Sequence, residues 1–167
     1  MPGTAFGVRR ARPEDAAAIA AVHTRTWQAA YEHVFGAKRL ATREPQVEMW
    51  AAVLARGRSD VHVFDDGAVV GFVSTGESRD DDAVAELYAI YVLPDAWGSG
   101  AGTALMHVGL DAMRARFSGD AVLWVLEDNP RARRFYEREG WTVDGARKEE
   151  EWLGVVIPEL RYRISLD

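Results

Sequence analysis

Apolar residues that recur every three or four positions predict four helices along the chain. The first begins at Pro13 and carries a stripe whose members are Ile19, Val22, Thr26, Ala30 and Val34. The second spans about residues 43–56, and the third follows a glycine-rich turn and runs to about Phe117. The fourth lies between Asn129 and Gly140, since asparagine caps a helix well and Pro130 suits the first helical position.

Short apolar runs predict strands between these helices. The turn Asp65-Asp66-Gly67 separates two such runs and predicts a β-hairpin, because Asp-Gly favours the turn that joins antiparallel strands. The predicted strands are 6–12, 61–64, 68–73, 85–93, 121–126, 141–146 and 152–166. The middle of the chain therefore has the pattern of an antiparallel meander. Because no linker or repeat interrupts the sequence, we expect one domain over residues 1–167.

Charge and composition narrow the classes of function. The chain has 26 Asp and Glu against 20 Lys and Arg, a net charge of −6, which disfavours nucleic-acid binding. The absence of cysteine excludes a disulfide framework, a zinc–thiolate site and a cysteine nucleophile. The four histidines lack metal-ligand spacing, so we expect no metal. The sequence shows neither a signal-peptide pattern nor an apolar run of membrane length, which favours a cytoplasmic protein with no membrane partner.

A glycine-rich turn is the first candidate for chemistry. Trp97-Gly98-Ser99-Gly100-Ala101-Gly102-Thr103 lies between a predicted strand and a predicted helix. Glycines let several backbone N–H groups face one concavity, and the new helix adds its own free N–H groups and its dipole. The turn is therefore a candidate anion site for a phosphate or diphosphate. The alternative is a sharp connection with no ligand.

The segment from Asn129 to Trp141 is the second candidate. Taken alone, its spacing favours an ordinary capped helix in which Phe135 and Tyr136 pack in the core. The order of the motifs changes this interpretation, because Ile90-Tyr91-Val92-Leu93-Pro94, the glycine turn and N-x-x-A-x-x-F-Y-x-x-x-G-W follow one another. Together they resemble the GNAT superfamily of N-acetyltransferases, over roughly Val69 to Val143.

The resemblance implies a fold and a reaction. The fold is the GNAT fold, an α/β (α+β) architecture with a mixed, mostly antiparallel twisted sheet of about seven strands and helices on both faces. The implied donor co-substrate is acetyl-CoA, and the implied acceptor is a primary amine on a small molecule or a peptide. The family also makes a homodimer an expectation.

The resemblance also implies the residues that bind the cofactor. The strand before the turn offers backbone groups to the pantetheine arm, the turn holds the diphosphate, and the asparagine contacts the pantetheine region. In this chain the positions are Ile90, Tyr91, Val92, Gly98, Ser99, Gly100, Ala101, Gly102, Thr103, Asn129 and Tyr136. Trp97 stands where the family has Gln or Arg, and Ser99 where a second basic residue is frequent. We therefore expect CoA binding that is weaker but retained.

Proton transfer defines the predicted catalytic residues. Tyr136 matches the family tyrosine that protonates the departing thiolate, a role that suits a phenol with an ordinary pKa of about 10. An alkyl ammonium has a pKa near 10.4, so a base or a water relay must remove its proton. The predicted base is Glu86, which precedes Ile90 by four residues and should point to the same face of the strand. This placement resembles that of the strand glutamate that serves as base in histone-type members of the family. The alternative for Glu86 is a solvated or ion-paired carboxylate.

The acceptor is less well defined by the sequence. Trp27, Tyr31 and Tyr88 are candidate walls of the amine pocket, with ordinary core or rim packing as the alternative. The acidic run 149–151, expected at a hairpin tip, would favour a cationic acceptor. We expect a small-molecule amine. The alternatives are a protein N-terminal or lysine acetyltransferase and a CoA-binding sensor or interaction module without turnover.

Overall fold

The computed structural model describes residues 7–41 and 43–167. In these residues one sheet contains seven strands: β1 Gly7–Arg10, β2 Asp60–Asp65, β3 Val69–Glu77, β4 Ala85–Val92, β5 Asp120–Leu126, β6 Thr142–Trp152 and β7 Val155–Ser165. The helices of the described chain are α1 Ala16–Phe35, α2 Ala37–Leu40, α3 Val47–Arg56, α4 Ala101–Arg116 and α5 Pro130–Arg138. Short 3-10 turns at Pro13–Asp15 and Pro94–Ala96 lead into α1 and into the glycine turn. No helix within these ranges has the length and apolar character that crossing a membrane requires.

The strands lie in the order β1-β2-β3-β4-β5-β7-β6. Every neighbouring pair is antiparallel except β4 and β5, which are parallel. A parallel pair needs a crossover connection, and α4 supplies it. The predicted mixed, mostly antiparallel sheet of about seven strands with helices on both sides is therefore confirmed.

Each face of the sheet has its own hydrophobic core. On one face, here called the α1 face, Ile19 of α1 and Trp50 of α3 pack on strand residues that include Val63 and Phe72. On the other, the α4 face, Leu105 and Met113 of α4 pack with α5 and the central strands. Leu126 of β5 and Ile157 of β7 extend the α1 face toward the end of α1, where Trp27, Tyr31 and Phe35 cover them. The sheet is thus a shared layer between two groups of helices.

A β-bulge divides β4 into two halves. Thr75 of β3 pairs with Leu87, whereas the preceding Ser74 pairs with Ala89, so Tyr88 is an extra residue in β4. An extra residue reverses which side chains point to which face. Before the bulge Leu87 packs on the α4 face, and after it Ile90 does. Side chains from one strand are thereby directed to both faces around Tyr88.

The predicted order of helices and strands is confirmed, with differences at several boundaries. The helix expected from about residue 43 begins at Val47, and the short α2 before it was not predicted. The run 149–151, expected at a hairpin tip, lies inside β6, and the turn falls at Leu153, which has a φ of 51°. The β6 strand is longer than predicted because its exposed residues alternate with half-buried ones and the whole segment pairs along β7. Phe6, the start of the first predicted strand, lies outside the described residues.

Candidate active site

The site begins where β4 and β5 separate. Their pairing is limited to Ala85 with Ala121 and Glu86 with Val122. Beyond these pairs, residues 87–92 of β4 have no partner on that side among the described residues, and β5 turns toward β7. Backbone N–H and C=O groups that lack a strand partner are available to a ligand. The divergence therefore opens a cleft with hydrogen-bonding groups along its β4 edge.

The glycine turn lies at one end of this cleft, just after β4. Gly98 has a φ of 76° and Gly100 a φ of 88°, and a Cβ at either position would meet no atom within 4 Å. Only glycine adopts such a backbone freely. In the described chain, no hydrogen bond engages the N–H groups of Gly100, Gly102 or Thr103. Free N–H groups at the start of a 16-residue helix fit an anion such as a diphosphate.

Trp97 and Arg131 form a pair beside the turn. The Trp97 indole Nε1 donates a hydrogen bond of 2.8 Å to the carbonyl oxygen of Val92, which fixes the ring at the end of β4. The guanidinium carbon of Arg131, from the first turn of α5, lies 3.2 Å from the centre of that ring. The pair brings a cation to a position next to the glycine turn. The sequence shows that position 97 lacks a basic residue. It did not predict that Arg131 would lie there, because Trp97 and Arg131 are distant in the sequence.

The helix α5 positions Asn129 and Tyr136. Asn129 caps the helix as predicted, since its side-chain oxygen accepts a hydrogen bond from the N–H of Ala132 at 3.2 Å. Its amide NH₂ group makes no hydrogen bond within residues 7–41 and 43–167. One face of α5 meets the start of α4, where a Cβ on Gly102 would lie 3.4 Å from the Phe135 ring. Asn129 and the glycine turn are thus held in one assembly.

The Tyr136 side chain is buried on the α4 face, with 8% of its surface exposed. Its hydroxyl makes no hydrogen bond inside the part of the chain that the structure describes. Burial raises the pKa of this phenol, and neighbouring Tyr91 adds to the rise. The phenol is therefore neutral at physiological pH, carries a proton and has no protein acceptor for it.

Glu86 is buried and ion-paired. Its Oε1 accepts hydrogen bonds from the backbone N–H of Arg79 at 3.1 Å and from Arg79 Nε at 3.2 Å. Its Oε2 accepts from Arg79 Nε and from Nη2. Only 1% of the Glu86 side chain is exposed, whereas 67% of the Arg79 side chain is. The carboxylate thus has both oxygens engaged, and the guanidinium is the part that meets solvent.

The expectation that Glu86 and Ile90 share a face is wrong. Glu86 alternates with Ala85 and Leu87, which pack on the α4 face, so its side chain points to the α1 face. Ile90 packs on the α4 face. The four-residue spacing failed because the bulge at Tyr88 inserts one residue between them. Whether Glu86 removes a proton stays a prediction.

A second buried carboxylate, Glu159 of β7, was missed. It pairs with Leu126 of β5 and with Lys148 of β6, so all three side chains lie on the α1 face. Lys148 Nζ lies 3.5 Å from Glu159 Oε2, and 10% of the Glu159 side chain is exposed. Burial raises the pKa of Glu159, while Lys148 opposes the rise. The available signal was a glutamate two residues after inward-facing Ile157, in a strand whose alternation places both on one face.

Three phenols and Glu159 lie within electrostatic range of one another at the cleft. Burial raises the pKa of Tyr31, and neighbouring Tyr91, Glu159 and Tyr136 add to the rise. Burial likewise raises the pKa of Tyr91 to about 12, with a contribution from Glu159. Tyr136 belongs to the α4 face, whereas Tyr31 and Tyr91 pack on the α1 face. Groups from opposite faces act on one another because β4 and β5 are apart here.

The residues expected to line an amine pocket are partly core residues. Trp27 and Tyr31 stack on each other with ring centres 4.6 Å apart, and each is 8% exposed. The outer face of Trp27 is covered by Arg43, whose guanidinium carbon lies 4.3 Å from the ring. Tyr88 is half-buried and donates its hydroxyl to the carbonyl of Glu77. Core packing explains Trp27, while the Tyr31 hydroxyl and the Tyr88 ring remain next to the charged groups of the cleft.

A network around Arg161 fixes the loop between β3 and β4. Arg161 is 8% exposed and donates to Asp144 at 2.7 Å, to Asp82 at 2.7 and 2.8 Å and to Asp80 at 3.2 Å. Asp80 also accepts from the Trp124 indole at 2.9 Å. The loop that carries Arg79 is therefore attached to β5, β6 and β7, which holds Arg79 over Glu86.

Comparison with known proteins agrees with this geometry. Residues 17–141 match the model of the acetyltransferase (GNAT) family. The N-acetyltransferase YuaI of Bacillus subtilis (strain 168) is 30% identical over 161 residues, which cover 88% of this chain and 91% of YuaI. A GCN5-related N-acetyltransferase from Rhodopseudomonas palustris has the same fold, with a TM-score of 0.75 at 22% identity, over 99% of this chain and 98% of that one.

A solved structure with a ligand bears on the cofactor. The acetyltransferase yncA from Salmonella typhimurium, determined with its cofactor acetyl-CoA, aligns with a TM-score of 0.69 at 23% identity. The alignment covers 98% of this chain and 95% of yncA. The family match spans the strands of the cleft, the glycine turn and the α5 cap of this chain. The chain belongs to the GNAT family of acetyltransferases.

Proposed function

We propose that this protein transfers the acetyl group of acetyl-CoA to a primary amine by direct attack in a ternary complex. The observation that carries the proposal is the divergence of β4 from β5 beside the glycine turn. The β4 edge offers backbone partners to an extended arm, and the turn offers N–H donors to a diphosphate. Bound acetyl-CoA supplies the thioester whose acetyl group passes to the amine nitrogen without an acyl-enzyme intermediate.

The cofactor roles follow the geometry of the cleft. Backbone groups of Ile90 and Tyr91 would hold the pantetheine arm, and the free amide of Asn129 would add a donor. The carbonyl of Val92 already accepts from Trp97, so Val92 has only its N–H to offer. The N–H groups of residues 98–103 would bind the diphosphate. Arg131, stacked on Trp97, would supply the positive charge that position 97 lacks.

Tyr136 is proposed as the acid for the departing CoA thiolate. A thiol with a pKa near 8.5 leaves more readily when a nearby phenol donates a proton. The Tyr136 hydroxyl is suited to this step because it is neutral and lacks a protein acceptor in the described structure. Its position near Tyr91 connects it to the cleft between β4 and β5.

The acceptor is proposed to be a small-molecule amine, with a protein N-terminus or a lysine side chain as the alternative. Its ammonium must lose a proton before attack, because only the neutral nitrogen has a free electron pair. Two buried carboxylates on the α1 face are available for this step. Glu86, the base predicted from the sequence, is held by Arg79, and Glu159 is held by Lys148.

Two measurements test the proposal. Calorimetric titration of acetyl-CoA, CoA and acetyl-pantetheine into the protein should show binding of all three, with the weakest affinity for acetyl-pantetheine. Release of CoA thiol from acetyl-CoA, followed with a thiol reagent, should depend on an added amine from the set tryptamine, spermidine and alanyl-alanine. Binding without amine-dependent release favours the CoA-binding sensor, and no binding of acetyl-CoA rejects the proposed function.

A further inference from the structure

Glu86 and Glu159, the two buried carboxylates on the α1 face, differ in how many of their oxygens accept hydrogen bonds. Both oxygens of Glu86 accept hydrogen bonds from Arg79, and 1% of the side chain is exposed. In the described structure, the one partner of Glu159 is Lys148, whose Nζ lies 3.5 Å from Oε2 in a long, weak contact. No hydrogen bond or ion pair among the described residues engages its Oε1. A base needs a free electron pair for the proton it removes, and of the two carboxylates it is Glu159 that has an unengaged oxygen.

The surroundings of Glu159 come from four elements. The charge of Glu159 raises the pKa of Tyr31 of α1 and of Tyr91 of β4. Lys148 and Glu150 of β6 lie beside it, since Lys148 Nζ contacts Glu150 Oε1 at 3.3 Å as well as Glu159. The remaining charged neighbour is Arg79, from the loop between β3 and β4. Tyr136 also raises the pKa of Tyr31. Tyr31 is therefore near both Glu159 and the residue proposed to protonate the thiolate.

Lys148 is oriented by a second contact. Its Nζ lies 4.4 Å from the centre of the Trp124 ring, and the Trp124 indole is itself fixed on Asp80 at 2.9 Å. A cation over an aromatic ring is attracted to its face. Lys148 is therefore shared among Trp124, Glu150 and Glu159, and the long 3.5 Å contact leaves Glu159 only partly neutralised.

We propose that Glu159 is the catalytic base that removes the proton from the ammonium of the acceptor, and that Glu86 is a positioning residue that holds Arg79. The inference rests on the proposed amine acetylation. One N–H bond of the ammonium breaks and its proton passes to Oε1 of Glu159. The neutral nitrogen then bonds to the acetyl carbon as the carbon–sulfur bond breaks. Tyr136 gives its proton to the sulfur, the nitrogen's second proton restores the phenol, and Glu159 releases its proton to water.

The electrostatics of the cluster support this assignment. Burial raises the pKa of Glu159, Glu150 raises it further, and Lys148 lowers it. A carboxylate with a raised pKa is a stronger base than an exposed one. On the cleft side the neighbours of Glu159 are two neutral phenols and its partner Lys148, and nearby Arg79 is paired with Glu86. A single ammonium can therefore approach without meeting an unpaired cation.

The first experiment compares two isosteric variants with the wild type. Thiol release from acetyl-CoA is measured against pH with whichever of tryptamine, spermidine and alanyl-alanine the wild type uses best. Glu159→Gln should lower kcat by about 10²–10⁴-fold and remove the acid limb of the kcat profile. Glu86→Gln should keep that limb. The dissociation constant of acetyl-CoA, measured by calorimetry, should be unchanged in Glu159→Gln, which shows that the variant is folded.

The second experiment uses the lysine partner and a matched neighbour. Lys148→Met removes the charge that lowers the pKa of Glu159, so the acid limb should move to higher pH. Arg147→Met, at the residue directly before Lys148 in β6, removes a cation that is paired with Glu127 and Glu149. The acid limb of the kcat profile should stay in place in this variant. Carbon-detected NMR of glutamate-labelled protein, without acceptor, should show the Glu159 carboxyl titrating above its ordinary range and shifting upward in Lys148→Met.

The contrary results are distinct. If Glu159→Gln keeps the acid limb, or Glu86→Gln loses it, or Lys148→Met leaves the limb and the NMR titration in place, Glu159 is not the base. If the wild type binds acetyl-CoA and releases no thiol with any of the three amines, the proposed amine acetylation fails and the assignment fails with it. The NMR titration separates the cases, because it reports the Glu159–Lys148 coupling without turnover.

Discussion

At the scale of single residues, the site is defined by polar groups that the fold leaves without partners. The hydroxyl of Tyr136 makes no hydrogen bond within the described chain, whereas the hydroxyl of nearby Tyr162 donates to Glu137 at 2.8 Å and accepts from Arg133 at 3.1 Å. Both tyrosines belong to the same core on the α4 face. Tyr162 therefore has a role in stability, whereas the free hydroxyl of Tyr136 is what the proposed acid requires.

Replacing Tyr136 by phenylalanine tests this contrast. The change should lower kcat by about 10²–10⁴-fold because it removes the proposed acid. It should leave the free energy of unfolding nearly unchanged, since no hydrogen bond is lost. The matched variant Tyr162→Phe should lose about 1 kcal/mol for each broken hydrogen bond and keep its turnover. Urea denaturation and thiol release measure the two effects; unchanged kcat in Tyr136→Phe removes the tyrosine from the mechanism.

Arg131 carries a second residue-scale prediction. Arg131→Gln should weaken binding of acetyl-CoA about tenfold or more, because a charge-assisted contact to a phosphate is lost. Binding of acetyl-pantetheine, which has no diphosphate, should stay the same. Arg134→Gln, an exposed arginine on the same helix, is the control and should bind both compounds normally. An equal loss for both ligands would mean that the Trp97–Arg131 pair supports the structure of the turn and not the phosphates.

At the scale of elements, sequence patterns predicted the regular helices and strands and missed the β-bulge that interrupts β4. The cap at Asn129 and the glycine turn were predicted because each depends on a few adjacent residues with one dominant backbone preference. The bulge at Tyr88 was not, because an extra residue in β4 has no strong local signal and is set by pairing with β3. The predicted face of Glu86 relative to Ile90 was wrong because this extra residue was not predicted.

Long-range pairs were equally hidden in the sequence. Glu159 and Lys148 meet because β6 and β7 pair in one register, and Arg131 meets Trp97 because α5 packs beside the glycine turn. Neither contact is encoded by neighbouring residues, so periodicity alone cannot locate it. Glu86 and Tyr136 were found through family motifs, and their catalytic roles remain predictions that the kinetic experiments address.

The entry into α1 provides a prediction on pH. Asp15 accepts hydrogen bonds from Arg9 at 2.8 Å and from the backbone N–H of Arg12 at 2.7 Å. Arg9 lowers the pKa of Asp15 in the folded state. Its contribution is therefore complete above the ordinary value of about 3.9 and is lost as pH falls through the lowered folded pKa.

Asp15→Asn should accordingly cost about 2 kcal/mol of unfolding free energy at pH 7. The difference from wild type should shrink as the pH falls below about 4. Urea denaturation at a series of pH values measures it, with Asp66→Asn in the exposed β2–β3 turn as the control. A difference that stays constant down to acid pH would assign the loss to packing and not to the ionised carboxylate.

At the scale of the whole molecule, the net charge of −6 conceals strong local pairing. The buried Arg161, for example, is surrounded by Asp80, Asp82 and Asp144. The total charge disfavoured nucleic acid as a partner, but it could not show that charges on the α1 face gather around one cleft. That the chain forms a single domain and a homodimer stays a prediction. A solution mass of 18.5 kDa would contradict the dimer.

The limited pairing of β4 with β5 has a consequence for how the molecule moves. Strands β1–β4 and β5–β7 form two blocks that share backbone bonds only near Ala85 and Glu86. Local opening of one block need not disrupt the ladder of the other, so their amides should exchange with deuterium at different rates. Acetyl-CoA should slow exchange on both sides of the gap, in residues 87–92 and 98–103 and around Asn129, and leave β1 and β2 unaffected. Binding of acetyl-CoA would then also determine how readily the two blocks of strands move relative to each other.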